Sequence, residues 1–421
     1  MDEVHVVTCV LRHRGRVLLL RRSDDVGSYT RRWGMVSGHA EGHPDEQAWT
    51  EIDEETGLAD ACTLVRAGDP FDVTDDERGT RWVVHPYLFD CERNEIASNY
   101  ETTDWAWVDP TEILERDTVP DLWTTYRSVG PTLETVRADR EHGSAYLSVR
   151  ALEALRDEAA DVRVSETNAS QSEHSSDAGA DWNAIRELAR DLRSVRDMVV
   201  VTNRVNRLLA RSSTPDELVD AAQEEIDAVL DADDDAAAAA ADRIGGETVL
   251  TLSRSGTVLR ALETGDPDSV LVAESRPEGE GIGVAEELAD EVDVTLTTDA
   301  AAPGVVADAD RVLVGADAIH PDDALVNKTG TYPLALAAAR AGVPVDAVCA
   351  RDKIAAEPVE PEEESDHALV YDGDAPIRVR APLFERVPSD LVTNVVTESG
   401  VLDADDVREL AAEYRRLADW E

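Results

Sequence analysis

Residues 249–316 alternate short apolar runs with helical patterns, and this alternation restricts the fold more than any other feature of the sequence. The runs VLTLS, VLVAES, VTLTT and VLVGA have the length and composition of buried strands. Helical patterns at 256–263 and 283–290 separate the first three runs. Strands that alternate with helices form parallel sheets, because each helix returns the chain to the same edge. The sequence therefore predicts an α/β domain with a parallel sheet.

The run VLVGA leads into a segment with the layout of a phosphate site. Asp317 follows the run directly, and NKTGT (327–331) precedes the helical pattern YPLALAAARAG. Ligands of open α/β sheets bind at the carboxyl ends of strands, and free N–H groups at a helix start attract anions. We predict that Asp317, Asn327 and Lys328 line a site for a phosphorylated ligand. A structural role is the alternative: Asp317 could turn the chain, and the last two residues of NKTGT could only start the helix.

The segment EIDEETGL indicates a second chemistry. Pro44 predicts the start of a helix and Gly57 its end. Glu51, Glu54 and Glu55 stand three and four residues apart and share one face of that helix. Carboxylates gathered in this way repel one another unless a cation is bound, and such hard oxygen ligands suit Mg²⁺ or Mn²⁺. A solvated acidic face is the alternative, since 90 of the 421 residues are Asp or Glu.

The charge of the chain argues against nucleic acid as a direct partner. The formal net charge is −50, which would repel a phosphate backbone. The carboxylates are spread along the whole chain and lysine is scarce, as in cytosolic proteins of halophiles, where concentrated salt screens such repulsion. Lys328 and Lys353 are the only lysines, so they stand out as candidates for binding an anion.

Cysteine usage and hydropathy predict a soluble cytoplasmic protein. The four cysteines are scattered without a CxxC pair or a Cys/His cluster, which argues against a zinc site and a disulfide framework. The amino terminus enters a predicted strand almost at once, and no apolar stretch is long enough to span a bilayer. We therefore expect neither a signal peptide nor a membrane helix.

The length of 421 residues exceeds a single ordinary core, so we expect several domains. The predicted division is residues 1–128, a helical subdomain at 129–242, and an α/β domain at 243–421. The polar insert SETNASQSEHSSDAGAD (165–181) interrupts the helical subdomain. Its composition buries too little apolar surface to order it, so we predict a flexible insert.

The amino-terminal region resembles the Nudix hydrolases of nucleoside-diphosphate-linked substrates. The segment EIDEETGL is similar to the Nudix box, a strand pair is predicted around Arg14-Gly15, and WAWVDPTEIL (105–114) is similar to the closing strand and short helix. The resemblance covers about residues 1–128. It implies an α/β/α sandwich with a mixed sheet.

The same resemblance implies metal-assisted attack of water on phosphorus. Glu54 and Glu55 are the implied metal ligands, and Glu51 is a further ligand or the general base. Glu101 is the nearest candidate for a base from a distant loop, with a plain surface role as the alternative. Thr50 stands where these relatives have an arginine that orients a glutamate.

The rest of the chain, about 129–421, resembles the translation initiation factor two-B alpha-subunit family, which includes ribose-1,5-bisphosphate isomerase. Four of the matching pieces are EHGSAYLSVRALEAL (141–155), SVRDMVVVTNRVNRLL (194–209), VLTLSRSGTVLRALE (249–263) and APLFERVPSDLVTNVVTESG (381–400). The resemblance implies a helical subdomain before a Rossmann-like sheet, and assembly of the chain as a homo-oligomer.

Isomerases of that family use a cysteine and an aspartate as an acid/base pair on a sugar phosphate. Asp317 matches the aspartate, but Ser253 stands in place of the cysteine. A serine hydroxyl hardly ionises unless a base activates it, so the proton transfer assigned to cysteine is weakened. The implied phosphate contacts are Arg196, Ser255, Asn327 and Lys328, with the turn at 142–144 as a weaker candidate. Alternatively, Arg196 only pairs with a carboxylate and Ser255 only begins a helix.

These features lead to one main functional hypothesis and two alternatives. The main hypothesis is a divalent-metal-dependent Nudix-type hydrolase joined to a domain that binds a phosphorylated sugar or nucleotide. The first alternative is an aldose–ketose isomerase that acts on ribose 1,5-bisphosphate. The second is a regulatory module without catalysis, in which both sites act as sensors.

Overall fold

The protein is described from a computed structural model that covers residues 2–40, 42–140, 142–170, 178–360 and 363–420; the side chains of 166–170 and 178–180 are not included. The chain divides into two compact units. One comprises Met1–Thr135, Glu153–Ile185 and Thr214–Asp227, and the other comprises Val136–Leu152, Arg186–Ser213 and Ala228–Glu421.

The first unit contains a mixed sheet. Its strands are β1 (Asp2–His13), β2 (Arg16–Arg22), β3 (Trp33–Gly34), β4 (Val36–His39), β5 (Cys62–Ala67), β6 (Phe71–Asp75), β7 (Thr80–Cys91) and β8 (Thr102–Val108). The central strand β1 runs parallel to β7 and antiparallel to β2 and β4. Arg14 and Gly15 both have positive φ, at 48° and 76°, as a two-residue hairpin turn requires. The predicted hairpin is therefore confirmed.

Helices cover both faces of this sheet, because β1 sends alternate apolar side chains to opposite sides. Val7 and Cys9 pack in the cluster that contains helix α1 (Pro44–Thr56), whereas Val10 packs with helix α2 (Leu122–Val129). The predicted α/β/α sandwich is confirmed. The predicted closing strand and short helix at 105–114 are also present, as β8 and a 3-10 turn at Pro110–Leu114.

Helices dominate the middle of the chain. They are α3 (Leu133–Ala138), α4 (Ser144–Ser170), α5 (Ala178–Arg193), α6 (Val199–Ala210) and α7 (Pro215–Ala241). Helices α4 and α5 extend into the predicted insert from its two ends, and residues 171–177 lie outside the described residues. Within the described ranges, no helix has both the length and the apolarity needed to cross a membrane.

The second unit contains the predicted parallel sheet. Strands and helices follow in the order β9 (Thr248–Leu252), α8 (Gly256–Thr264), β10 (Ser269–Ala273), α9 (Glu280–Leu288), β11 (Asp293–Thr297), α10 (Ala302–Val305), β12 (Arg311–Gly315), β13 (Ala318–Ile319), β14 (Leu325–Lys328), α11 (Thr331–Ala341), β15 (Val345–Val348), β16 (Phe384–Val387), β17 (Asn394–Thr397), β18 (Gly400–Leu402) and α12 (Ala404–Leu417). The spatial order is β11-β10-β9-β12-β15-β17-β18, with only β18 antiparallel to its neighbour. The Rossmann-like prediction is confirmed.

A small antiparallel sheet, β13-β14-β16, lies outside the predicted pattern. Asn327 and Lys328, which we predicted only to precede a helix, belong to β14 and pair with Glu385 and Phe384 of β16. This pairing joins segments that are more than fifty residues apart, so local sequence patterns do not reveal it.

A buried carboxylate ties helices of the second unit to the parallel sheet. Asp352, just after β15, accepts hydrogen bonds from Arg204 at 2.9 Å, Arg207 at 2.5 Å and Tyr414 at 2.7 Å. Burial raises the pKa of Asp352, but the two guanidinium groups and the tyrosine outweigh it, so this pKa lies well below its usual range. Arg204 also pairs with Asp233 of α7 at 3.0 Å. The ion network therefore stabilises the fold.

Arg204→Met should lower the free energy of unfolding by about 3–5 kcal/mol, because the buried Asp352 loses one of its two guanidinium partners and Asp233 loses its salt bridge to Arg204. Urea unfolding at a fixed high salt concentration measures this loss. The matched control is Arg340→Met, at an exposed position in α11, which should change stability by less than about 0.5 kcal/mol. Equal effects of the two substitutions would show that the network adds nothing.

Candidate functional site

Two of the three predicted glutamates of α1 lie against β4. Glu55 is buried, and its Oε1 accepts the backbone N–H of Ser37 at 3.1 Å. Glu51 is half-buried and accepts a hydrogen bond from Gln47 at 2.8 Å. A Cβ at Gly38 would come within 1.7 Å of Glu51 Oε1, so Gly38 provides the space for this carboxylate. Helix α1 begins at Pro44 and ends before left-handed Gly57, as predicted.

Burial and the charges of neighbouring carboxylates raise the pKa values of Glu51 and Glu55. Burial raises the pKa of Glu55 to about 8, with contributions from the charges of Glu51 and Glu101. Burial also raises the pKa of Glu51, and the charges of Glu54 and Glu101 add to this effect. Among the described residues, no arginine or lysine forms a salt bridge with any of the four. We call Glu51, Glu54, Glu55 and Glu101 the glutamate cluster.

A hard divalent cation fits the glutamate cluster by charge and by donor type, because carboxylate oxygens are the preferred ligands of Mg²⁺ and Mn²⁺. The buried Glu55, whose pKa lies far above its usual value, is the group with the most to gain from a nearby cation. No three His, Cys, Asp or Glu side chains of the described ranges converge into a metal-holding group. The glutamates would therefore have to reorient around a cation.

Sequence reasoning missed Gly38, although a glycine inside a strand often marks a close approach of another group. Glu101, the predicted candidate from a distant loop, is half-buried, and its charge acts on both Glu51 and Glu55. Thr50 is exposed and donates its hydroxyl to the carbonyl of Glu46 at 3.1 Å.

The second predicted site lies at the point in the parallel sheet where the strand order reverses. Strands β10 and β11 extend the sheet on one side of β9, whereas β12, β15 and β17 extend it on the other. Crevices that bind ligands form at the carboxyl ends of strands at such a switch point. Ser253 is the first residue after β9, and Asp317 is the second after β12. The fold thus places both predicted residues at one switch point.

Ser253 is held by a carboxylate that the sequence analysis did not single out. The serine is 5% exposed and has a positive φ of 65°, and its Oγ donates to Oε2 of Glu280 at 2.5 Å. Lys328 Nζ lies 3.0 Å from the same oxygen and 3.6 Å from Glu278. The glycine-flanked glutamate in PEGEGIG was the available signal, since glycines permit close backbone approach.

Asp317 is half-buried beside both lysines of the chain. Burial raises its pKa, the nearby charges of Lys353 and Lys328 oppose that rise, and Glu280 and Glu363 reinforce it; the net pKa is raised. We call Ser253, Glu280, Asp317, Lys328 and Lys353 the switch-point site. It combines two carboxylates with two ammonium groups, the inventory needed for moving protons on an anionic ligand.

The remaining predicted residues of this region have protein partners. Arg196 donates to Glu363 at 3.1 Å and to the carbonyl of Asp139 at 3.2 Å. His142 lies 2.8 Å from the Asp139 carboxylate and stacks on Tyr146. Arg196 therefore pairs with a glutamate whose charge acts on Asp317 of the switch-point site.

Ser255 and Asn327 have structural partners in this state of the protein. Ser255 is the N-cap of α8 and accepts the N–H of Val258 at 3.4 Å. A Cβ at Gly315 would come within 2.7 Å of Ser255 Oγ, so β12 passes close to this cap. Asn327 is buried and donates to Thr331 at 3.0 Å.

The prediction of free N–H groups at the start of α11 is wrong. Oε1 of Glu385 accepts the N–H of Gly330 at 2.7 Å and that of Tyr332 at 2.8 Å. The pairing of β14 with β16 brings this glutamate to the helix start, where the helix dipole favours a negative charge. An intramolecular carboxylate therefore takes the place expected for a phosphate.

Two family models match successive parts of the chain. Residues 140–404 match the model of the Initiation factor 2 subunit family, and residues 1–129 match that of the NUDIX domain. Ribose 1,5-bisphosphate isomerase of Methanocaldococcus jannaschii is 32% identical over 237 residues, 52% of this chain and 77% of that protein. The protein of the same name from Haloferax volcanii is 32% identical over 276 residues, 60% of this chain and 84% of that protein.

Solved structures share the fold over about two thirds of the chain. A translation initiation factor eIF-2B from Pyrococcus horikoshii superimposes with a TM-score of 0.55 and 26% identity, covering 64% of this chain and 94% of that one. The 5-methylthioribose 1-phosphate isomerase of the same organism has a TM-score of 0.52 and 20% identity, covering 68% of this chain and 86% of that one. The latter similarity concerns the fold alone.

Glu55 should make the metal-free protein less stable as the pH rises. Its pKa in the folded protein, about 8, exceeds its usual value of 4.5, so the folded state binds this proton more tightly than the unfolded chain. This stabilisation of the folded state is complete below about pH 4.5, and it is lost as the pH rises through about 8. In EDTA and constant salt, the melting temperature should therefore fall more steeply with pH for the wild type than for Glu55→Gln.

Glu46→Gln, at an exposed position of the same helix, is the control and should keep the wild-type slope. Adding Mg²⁺ or Mn²⁺ should flatten the wild-type curve, because a bound cation favours the ionised carboxylate. Parallel curves for the wild type and Glu55→Gln in EDTA would contradict the assigned pKa.

Proposed function

Since the chain belongs to the Initiation factor 2 subunit family and carries an amino-terminal NUDIX domain, we propose a two-site protein. The amino-terminal domain, residues 1–128, hydrolyses a nucleoside-diphosphate-linked substrate with the help of Mg²⁺ or Mn²⁺. The Rossmann-like domain, residues 243–421, together with the helical subdomain at 129–242, binds a phosphorylated sugar or nucleotide.

The observation that carries the hydrolase proposal is the burial of Glu55 beside Glu51. A lone buried carboxylate is costly unless a cation or a proton neutralises it. Here the pKa of Glu55 is raised to about 8, and the space left by Gly38 accommodates the second carboxylate. Groups with strongly shifted pKa values, clustered against a strand, are typical of a functional site.

The chain supplies distinct groups for hydrolysis. Glu54 and Glu55 would hold the cation, with Glu51 as a further ligand where Glu101 is the base; the cation when bound neutralises diphosphate charge and favours the ionisation of water. Glu51, whose pKa is also raised, or Glu101 accepts the proton of the attacking water. The hydrogen bond from Ser37 holds Glu55 in place.

The two activities fit one chemical sequence. Hydrolysis of a nucleotide-sugar diphosphate releases phosphorylated sugars, which are the ligand class proposed for the second domain. We infer that the protein works in the cytoplasm as a homo-oligomer formed through that domain, and that it has no direct nucleic-acid partner, because its net charge is −50.

A specific observation favours a second candidate function, isomerisation of ribose 1,5-bisphosphate or a similar C1-phosphorylated pentose. Asp317 has a raised pKa next to two lysines, so it can carry a proton while the lysines attract phosphate. The relatives from Methanocaldococcus jannaschii and Haloferax volcanii bear the name of that isomerase.

We expect the wild-type protein to hydrolyse at least one member of a panel of nucleoside-diphosphate-linked compounds in high salt, and only with Mg²⁺ or Mn²⁺. Glu54→Gln should lower kcat/KM by about 100-fold, because it removes a metal ligand. Asp53→Asn, at the neighbouring exposed position, is the matched control and should retain the wild-type value. No turnover of any compound would reject the hydrolase.

The isomerase candidate predicts conversion of ribose 1,5-bisphosphate to its ketose isomer. Asp317→Asn should lower kcat by about 100-fold or more, since it removes a general acid/base. Asp308→Asn, at an exposed position, is the control. Ligand-dependent assembly without turnover by either site would instead indicate a sensor.

A further inference from the structure

Glu280 occupies a position that the local backbone defines closely. It is the first residue of α9 and follows Gly279, whose φ is 77°. A Cβ at Gly281 would lie 2.0 Å from the carbonyl oxygen of Ala273, so the start of α9 packs directly on the end of β10. Glu280 therefore lies at the carboxyl end of β10, the strand next to β9, on the same edge of the sheet as the ends of β9 and β12.

A hydroxyl group and an ammonium group lie against one oxygen of Glu280. Oε2 accepts the hydroxyl of Ser253 at 2.5 Å and lies 3.0 Å from Nζ of Lys328. Within the described part of the chain, Oε1 makes no hydrogen bond. The side chain is 32% exposed, whereas Ser253 is only 5% exposed. A ligand at the switch point can therefore reach the carboxylate more easily than the serine.

The direction of the Ser253 hydrogen bond matters for chemistry. A serine that donates its only proton to a carboxylate is not itself a free base, and it offers no ionised oxygen near neutral pH. The carboxylate that accepts this bond is the more basic partner, and Lys328 balances its charge. The base of this pair is thus the glutamate rather than the serine.

We propose that Glu280 is the second proton-transfer group of the switch-point site and acts together with Asp317, while Ser253 is a positioning residue that orients Glu280. This inference rests on the isomerase candidate of the preceding subsection. It assigns to Glu280 the proton transfer that the resembling isomerases carry out with a cysteine, because Ser253 stands in place of that cysteine here.

The proposed steps conserve atoms and electrons. Glu280 removes the proton from C2 of a C1-phosphorylated pentose, the C–H electrons form the C1=C2 bond, and the bond from C1 to the ring oxygen breaks. Asp317 gives its proton to that oxygen. The enol hydroxyl then returns a proton to Asp317 as C2 becomes a carbonyl, and Glu280 returns its proton to C1. C2 is oxidised and C1 is reduced, so no external oxidant is needed.

The neighbouring Glu278 provides a matched control. It also lies near Lys328, at 3.6 Å, but its Oε1 accepts the hydroxyl of Ser365 at 3.0 Å rather than that of Ser253. Replacing either glutamate by glutamine removes one negative charge beside the same lysine. A difference between the two variants therefore reports on proton transfer and not on local charge.

The test measures conversion of ribose 1,5-bisphosphate by the full-length chain in high salt. Glu280→Gln should lower kcat by about 100-fold with little change in KM, and Glu280→Asp should retain partial activity, because it keeps a carboxylate. Glu278→Gln should stay within a few-fold of wild type. Ser253→Ala should lower kcat about 10-fold and leave KM unchanged, as expected for a residue that orients a base.

Several outcomes would overturn the inference. Wild-type kcat in Glu280→Gln, an equal loss in Glu278→Gln, or a change confined to KM would each remove the proton-transfer role while leaving the isomerase in place. A wild-type protein that converts no C1-phosphorylated pentose rejects the isomerase itself, and the role of Glu280 with it. Urea unfolding of each variant shows whether a loss of activity reflects a loss of folding. If Glu280→Gln is unfolded, Glu280→Asp replaces it in the test: partial activity supports the proton-transfer role, and wild-type kcat contradicts it.

Discussion

The parallel pairing of β9 with both β10 and β12 is the constraint on which the second unit depends. Because neighbouring parallel strands end at the same edge, Ser253 after β9 and Asp317 after β12 meet at one switch point. Helices cover both faces of this sheet, since Val249 and Leu250 of β9 pack into different apolar clusters. Burial on both sides keeps the strand ends in register, and the position of the chemical groups follows from that register.

Two buried carboxylates differ in whether a cationic side chain pairs with them, and this difference separates a structural group from a functional one. Asp352 is surrounded by Arg204, Arg207 and Tyr414, so its pKa is lowered and it remains an anion that stabilises the fold. Glu55 has the backbone N–H of Ser37 but no salt bridge among the described residues, so its pKa is raised to about 8. The first arrangement is already neutralised, whereas the second is suited to receive a proton or a cation.

The scarcity of lysine makes the switch-point site more distinctive. The sequence contains 40 lysines and arginines, yet its only two lysines, Lys328 and Lys353, both act on the pKa of Asp317. An arginine such as Arg207 forms a bidentate pair with a carboxylate, whereas an ammonium group is a compact charge with rotatable donors. Lys328 lies beside Glu278 and Glu280, so an incoming phosphate would compete with two carboxylates for it.

The local elements could be predicted from the sequence: the strand–helix alternation, the limits of α1 at Pro44 and Gly57, and hence the common face of its glutamates. Periodicity and capping depend on neighbouring residues, which is why these features could be predicted. Two contacts became visible only in the folded chain: Glu280 accepts the hydroxyl of Ser253, and Glu385 accepts N–H groups at the start of α11. Both contacts join segments far apart in the chain, and they arise from strand pairing and helix packing that no local pattern encodes.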